Sequence, residues 1–178
     1  MDQESPTVDV MVYGGTASGV VAGVAAARMG AKVMLLEPGH HIGGMLSGGL
    51  SFTDFQGQEP VIGGLAREVF ERSGRHYGQS VTYHFEPRVA EGVLNDMLEE
   101  AGVTVRYASE LEGVAMEAGR ITGLRTTDGA IFRATVYIDA GYEGDLMKAA
   151  GVSYTVGREG RTAYGESLAG RMELLPGH

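Results

Sequence analysis

"MVYGGTASGV", residues 11–20, decides the fold, and it stands one residue away from a dinucleotide-binding loop. The usual spacing is G-x-G-x-x-G. Here Gly14, Gly15, Thr16, Ala17, Ser18 and Gly19 follow in order, with threonine where the second glycine belongs. Upstream, residues 8–13 form a β-branched apolar run that reads as a buried parallel strand. Downstream, "GVVAGVAAARM" (19–29) predicts a helix, and Gly30 takes the position of its C-cap. A second buried strand, "KVMLLE" (32–37), ends in an acid. Strand, glycine turn, helix and strand within about thirty residues make one βαβ unit.

Such a turn binds phosphate through unpaired N–H groups and the positive end of the helix dipole. The first glycine allows the tight turn, the second lets the backbone approach the pyrophosphate, and the third lets helix pack on strand. Gly14 and Gly19 hold the outer positions, and Gly23, one turn later, keeps the helix near the sheet. Thr16 gives up backbone clearance and adds a hydroxyl able to donate to a phosphate oxygen; Ser18 offers another. Glu37 closes the second strand, where an acid accepts hydrogen bonds from ribose hydroxyls and repels a 2′-phosphate. A dinucleotide is therefore expected at this loop. The alternatives are an ordinary glycine-rich βαβ turn and an NAD-dependent dehydrogenase.

The remainder departs from a plain repetition of βα units. Residues 38–60 are a glycine-rich loop too long to be a mere connector. Helices are predicted at about 64–73 and at 87–101, the latter with Pro87 at its entrance and Gly102 just beyond its end. "VTVRY" (103–107) is a third strand. Residues 111–138 carry turn signals at Ala118-Gly119 and Asp128-Gly129, which predicts an antiparallel meander of three strands whose last member runs on to Asp139. A helix starts from Gly144, and the pattern weakens after Gly151. The expected class is α/β: a Rossmann-like parallel sheet with an inserted antiparallel β-meander.

Composition narrows the partners. With 178 residues the chain suits one domain, and it contains no cysteine, which excludes disulfides, thiolate metal sites and a redox-active cysteine pair. The formal net charge of −9 and scattered basic residues argue against nucleic acid and anionic membrane. No apolar run approaches the ~20 residues that span a bilayer, and the acidic start is unlike a secretory signal. A soluble, cytoplasmic protein is expected. The histidines lack metal-ligand spacing, so no metal is expected. No nucleophile elbow or Ser-His-Asp set supports a hydrolase. His40 and His41, Asp54, Tyr142, Glu143 and Asp145 lie near the motifs, but exposure, helix capping and packing are the commoner uses of such residues.

The run "DVMVYGGTASGVVAGVAAARMGAKVMLLEPGHHIGGMLSGGLSFTD", with "VYIDAGYEGDLMKAAGVSYTVGRE" and "YGESLAG", resembles a family of bacterial FAD-dependent oxidoreductases. These belong to the glutathione-reductase-like, two-dinucleotide-fold flavoproteins, alongside the fumarate-reductase flavoprotein type, and some members carry the label "xanthan lyase". The resemblance extends from Val8 to about Gly170. It implies FAD as cofactor, with its pyrophosphate at Gly14–Gly19 and its adenosine ribose at Glu37, next to Pro38. It also implies that Gly43 and Gly44 lie along the phosphates and ribityl chain, with Met45, Leu46 and Ser47 close by. Leu111 would offer backbone groups to adenine, and Asp139, Ala140 and Gly141 would return beside the first strand near the cofactor. Gly141 stands where the family often has threonine, which removes one hydroxyl contact.

Family members are longer. The implied organisation is a tail at 1–7, an FAD-binding domain at 8–157, and the start of a truncated substrate-side region at 158–178. The expected function is the FAD-binding part of an oxidoreductase that transfers a hydride between an organic substrate and flavin. The alternative is a truncated, non-catalytic dinucleotide-binding module, either inert or completed by a partner chain or by oligomerisation.

Overall fold

In the computed structural model, residues 7–50, 53 and 57–170 are described. Most of the tail expected at 1–7, together with Asp54 and the end of the 158–178 region, lies outside the described residues. The elements are β1 (Val8–Tyr13), α1 (Ala17–Arg28), β2 (Val33–Leu36), α2 (Gly64–His76), α3 (Pro87–Ala101) and β3 (Thr104–Arg106). There follow β4 (Leu111–Glu117), β5 (Arg120–Thr126), β6 (Ile131–Phe132), β7 (Ala134–Asp139), α4 (Asp145–Ala149) and α5 (Arg161–Tyr164). One sheet is parallel with order β3-β2-β1-β7, and a second is antiparallel with order β4-β5-β6.

Strand periodicity assigns the two faces. Val10 and Val12 of β1, Val33 and Leu35 of β2, and Ile138 of β7 pack on one side with Val20 and Val24 of α1 and Val93, Leu94 and Met97 of α3. Met11, Tyr13, Met34, Leu36 and Tyr137 pack on the other side with Leu124 and Phe132 of the meander and Leu146 of α4. All four residues of β2 are buried, as a strand covered on both faces requires. Helices α1, α2 and α3 thus form one layer, and the meander with α4 forms the other.

The three long helices stop by the same device; in α2, Gly78 N–H and Gln79 N–H bond Arg75 O and Gly74 O at 3.1 and 2.9 Å. Gly30 N–H bonds Ala27 O at 2.9 Å and Ala31 N–H bonds Ala26 O at 3.1 Å, the paired bonds of a Schellman motif with Gly30 at φ 94°. Gly102 and Val103 repeat it on Glu99 and Leu98 at 3.0 Å each. At its start, α1 is capped by Thr16, whose Oγ1 accepts Gly19 N–H at 3.2 Å. The helix begins two residues earlier than its apolar pattern suggested, because Ala17 and Ser18 form its exposed first turn.

The meander also differs from the sequence expectation. Its third strand does not run on to Asp139: β6 ends at Phe132, and β7 starts at Ala134 in the other sheet, parallel to β1. One apolar run serves two sheets because Phe132 must bury against Leu124 while Val136 and Ile138 must pair with Val10 and Val12.

Outside the core, α1, α2 and α3 share charges. Arg28 makes two bonds to Glu68 at 2.6 and 2.8 Å, and Arg72 makes two to Glu100 at 2.7 and 2.6 Å while also reaching Glu68 at 2.9 Å. The Arg28 guanidinium first, and Arg72 after it, hold the Glu68 carboxyl down at about 2 against the opposing effect of burial. A carboxyl whose folded pKa is depressed stabilises fully above its unfolded value near 4.5 and loses that contribution as pH falls towards 2. Denaturant titrations should therefore show stability falling across that window, and Glu68→Gln should flatten the fall.

Two glycines of α1 separate sharply. A Cβ on Gly19 would strike the carbonyl oxygen of Gly14 and come within 3.0 Å of Ala140 Cβ, whereas one on Gly23 meets only side chains at 3.7–3.9 Å. Gly19→Ala should cost more than about 2 kcal/mol. Gly23→Ala should be neutral or stabilising by up to about 1 kcal/mol, the helix-propensity difference. Thermal unfolding of the two variants checks both, and it tests the expectation that Gly23 is needed for close packing.

Candidate functional site

Parallel strands place their carboxyl ends, and the loops that leave them, on one edge of the sheet. Three such segments meet here: the β1–α1 turn, the Gly43–Ser47 loop and the end of β7. Gly43 N–H donates to Gly15 O at 2.6 Å, and Thr16 and Gly43 form an isolated parallel bridge, so the second loop lies directly on the first. Ala140 N–H donates to Tyr13 O at 2.8 Å, which ties the end of β7 to the end of β1.

The glycines serve these approaches. A Cβ on Gly14, which has φ 98°, would sit 2.7 Å from Gly141 N and 2.9 Å from Ala140 C. On Gly15 it would come within 2.8 Å of a Glu37 carboxylate oxygen. On Gly43, with φ 100°, it would collide with Ser47 Oγ and lie 2.9 Å from Leu94 Cδ1. Gly44, with φ 53°, faces the Tyr142 ring, whose hydroxyl accepts Met45 N–H at 2.7 Å. Gly14, Gly15 and Gly44 let one segment touch another, and Gly43 lets its loop fold tightly on itself and on α3.

Thr16 has a different use from the one expected. Its hydroxyl donates to Ala140 O at 2.8 Å and accepts both Gly19 N–H and the Ser18 hydroxyl, the latter at 2.8 Å. The single proton on Oγ1 is thus committed within the protein, and the Ser18 proton is committed to Thr16. Neither hydroxyl donates to a phosphate in this arrangement. What remains for an anion are the amides of Ala17 and Ser18, which have no carbonyl four residues back inside the helix.

Glu37 stands where the second strand ends. One carboxylate oxygen accepts Gly15 N–H at 2.7 Å and the other accepts Gly39 N–H at 2.6 Å. Each oxygen keeps a further lone pair for a hydroxyl group. Pro38 is exposed beside it. Asp139 is organised alike: its oxygens accept Gly141 N–H at 3.0 Å and Met147 N–H at 2.8 Å, fixing the turn into α4.

In the second loop, Met45 is exposed, Leu46 packs against the main core, and Ser47 Oγ donates to Ile42 O. Glu91 of α3 holds the approach to this loop, accepting Ile42 N–H at 3.3 Å and lying 2.9 Å from His41 Nδ1. His40 and His41 are both exposed. Leu111 opens β4, and its N–H donates to the Tyr13 hydroxyl at 3.1 Å. Tyr13 was not singled out from the sequence; the available signal was an aromatic residue ending an otherwise aliphatic strand, directly before Gly14.

The loops therefore offer helix-terminal amides for phosphate and a carboxylate for ribose on one edge of the sheet, donor and acceptor types that suit a flavin dinucleotide. The family model described as "FAD dependent oxidoreductase" matches residues 9–176. A thiamine thiazole synthase from Desulfosudis oleivorans is 32% identical over 133 residues, covering 74% of this chain and 50% of that protein. Its counterpart from Thermococcus kodakarensis is 27% identical over 135 residues, covering 74% and 52%. Among solved structures, L-proline dehydrogenase from P. horikoshii superposes with a TM-score of 0.63 at 15% identity, covering 89% of this chain and 59% of that one. The chain thus spans about half the length of the curated relatives it matches. By its sequence match and by the fold that carries it, this chain belongs to the FAD dependent oxidoreductase family.

Proposed function

We propose that the chain is the FAD-binding part of an oxidoreductase that moves a hydride between a small organic substrate and the flavin, in the cytoplasm. The observation that carries this reading is the convergence of Gly14–Gly19, Gly43–Ser47 and Asp139–Gly141 at the carboxyl ends of four parallel strands. When bound, FAD supplies a redox centre able to accept or return two electrons as hydride.

The chain's own residues bind and orient. The amides of Ala17 and Ser18 and the dipole of α1 would hold the negative diphosphate. Glu37 accepts ribose hydroxyls while its bonds to Gly15 and Gly39 hold both flanking loops in place. Tyr142, through Met45 N–H, fixes the Gly43–Ser47 loop, which would support the ribityl chain. Such a preset cradle lowers the ordering cost of binding.

A second reading, a dinucleotide-binding module that needs another chain for turnover, draws on the surface after α4. Val152, Tyr154, Val156, Tyr164 and Leu168 are all at least half exposed, an apolar surface that suits a covering partner.

The purified protein should show a flavin absorption spectrum, and denaturation should release FAD into the supernatant. A colourless protein that takes up no added FAD would refute the cofactor role. Glu37→Ala should weaken FAD binding at least about tenfold, since a charged acceptor is lost. Pro38→Ala should leave the affinity within about twofold. Fluorescence titration of both variants measures the contrast, and equal losses would remove Glu37 from the site.

A further inference from the structure

The three segments that bound the crevice are joined in a closed circuit. Gly43 N–H to Gly15 O, at 2.6 Å, and the bridge between Thr16 and Gly43 join the β1–α1 turn to the second loop. Ala140 N–H to Tyr13 O and Thr16 O–H to Ala140 O, both 2.8 Å, join the same turn to the end of β7. Tyr13, Gly15, Thr16 and Gly43 are all buried. The third join, from the end of β7 back to the second loop, is of another kind. There the Tyr142 hydroxyl accepts Met45 N–H at 2.7 Å, between residues that are 56% and 57% exposed.

The backbone on either side of Tyr142 is pinned. Asp139 accepts Gly141 N–H at 3.0 Å and Met147 N–H at 2.8 Å, which ties the bend at 141–143 to the end of β7 and to α4. The second loop keeps anchors of its own: Gly43 on Gly15, Ile42 N–H on Glu91, and Leu46 against the core. What is free to move at the third join is the tyrosine side chain. Its ring lies over Gly44, where a Cβ would come within 3.0 Å of Cζ. Exposed side chains change rotamer on the picosecond-to-nanosecond scale, far faster than packed strands and loops rearrange.

We infer that Tyr142 is a strap across the crevice: its bond to Met45 closes the circuit, and the circuit opens there to admit and release the cofactor. This inference rests on the cofactor reading above. A ligand seated on all three segments has to pass between the two that Tyr142 joins. The buried joins open only with the sheet itself, whereas the phenol swings away by giving up one hydrogen bond, which water replaces. Formed alike with and without ligand, the bond slows entry and exit together and leaves the binding equilibrium nearly unchanged.

The test follows FAD binding to the flavin-free protein, with association read by stopped-flow flavin fluorescence and dissociation by dilution. Tyr142→Phe keeps the ring and removes the acceptor. Association and dissociation should each quicken by about threefold to fivefold, the worth of one net neutral hydrogen bond, with Kd held within about twofold. Tyr142→Ala also uncovers Gly44 and should be at least as fast in both directions. Either variant decides if the other does not fold. Association no faster than in the wild type overturns the strap, and a Kd weakened by faster dissociation alone makes Tyr142 a support of the loop and nothing more. FAD uptake with unchanged association removes the strap alone, whereas a wild type that takes up no FAD removes the cofactor reading and the strap with it.

Discussion

The structure depends on how closely the end of β7 approaches the end of β1. Gly14 has no room for a side chain because Gly141 N and Ala140 C fill the space a Cβ would need. Two hydrogen bonds hold the contact, Ala140 N–H to Tyr13 O and Thr16 O–H to Ala140 O, each 2.8 Å. The second joins residues 124 positions apart. It also explains the threonine. A glycine at that position would clear the backbone for a ligand, but it could neither cap α1 nor fasten the helix start to β7. In this chain the second position of the motif serves assembly of the crevice, and the amides of Ala17 and Ser18 stay without an acceptor inside the helix.

Two carboxylates complete the edge by the same means. Glu37 takes an amide on each oxygen from Gly15 and Gly39, and Asp139 does so from Gly141 and Met147. Glycine-rich loops lose much conformational entropy when they are fixed, and charge-assisted bonds of this type are among the stronger ones available to offset it. Each acid thus orders the loops around it. For Glu37 this is compatible with ligand contact because both oxygens retain acceptor capacity. Asp139 also caps the turn into α4, which makes it first of all a support for the Ala140–Gly141 wall.

The two sides of the sheet divide the work. On the helix side, the aliphatic cluster of β1, β2, α1 and α3 provides a rigid base, tied on its outside by the Arg28–Glu68–Arg72–Glu100 network. On the other side, the meander carries Leu111 to the edge of the crevice and lays Tyr13 beneath it. The inserted β-sheet is therefore part of how the site is walled, and its short third strand frees the chain to enter the parallel sheet as β7. Past α4 the chain exposes Val152, Tyr154, Val156, Tyr164 and Leu168.

Much of this was determined by the sequence itself. Periodicity and end signals placed α3 at Pro87–Ala101 to the residue and located the β1–α1–β2 unit, because apolar spacing, a proline entrance and glycine stops are local properties of the chain. The glycines of the first loop and Glu37 were legible for the same reason. Three matters were decided only by the tertiary structure. Periodicity could not show that one apolar run from 131 to 139 splits between two sheets, since both halves satisfy the same alternation. Nor could composition show that the Thr16 proton is spent on Ala140, or that Tyr13 meets Leu111, because those partners are 124 and 98 residues away. A hydroxyl announces what it can do in the sequence; which acceptor it reaches depends on which distant strands the fold brings side by side.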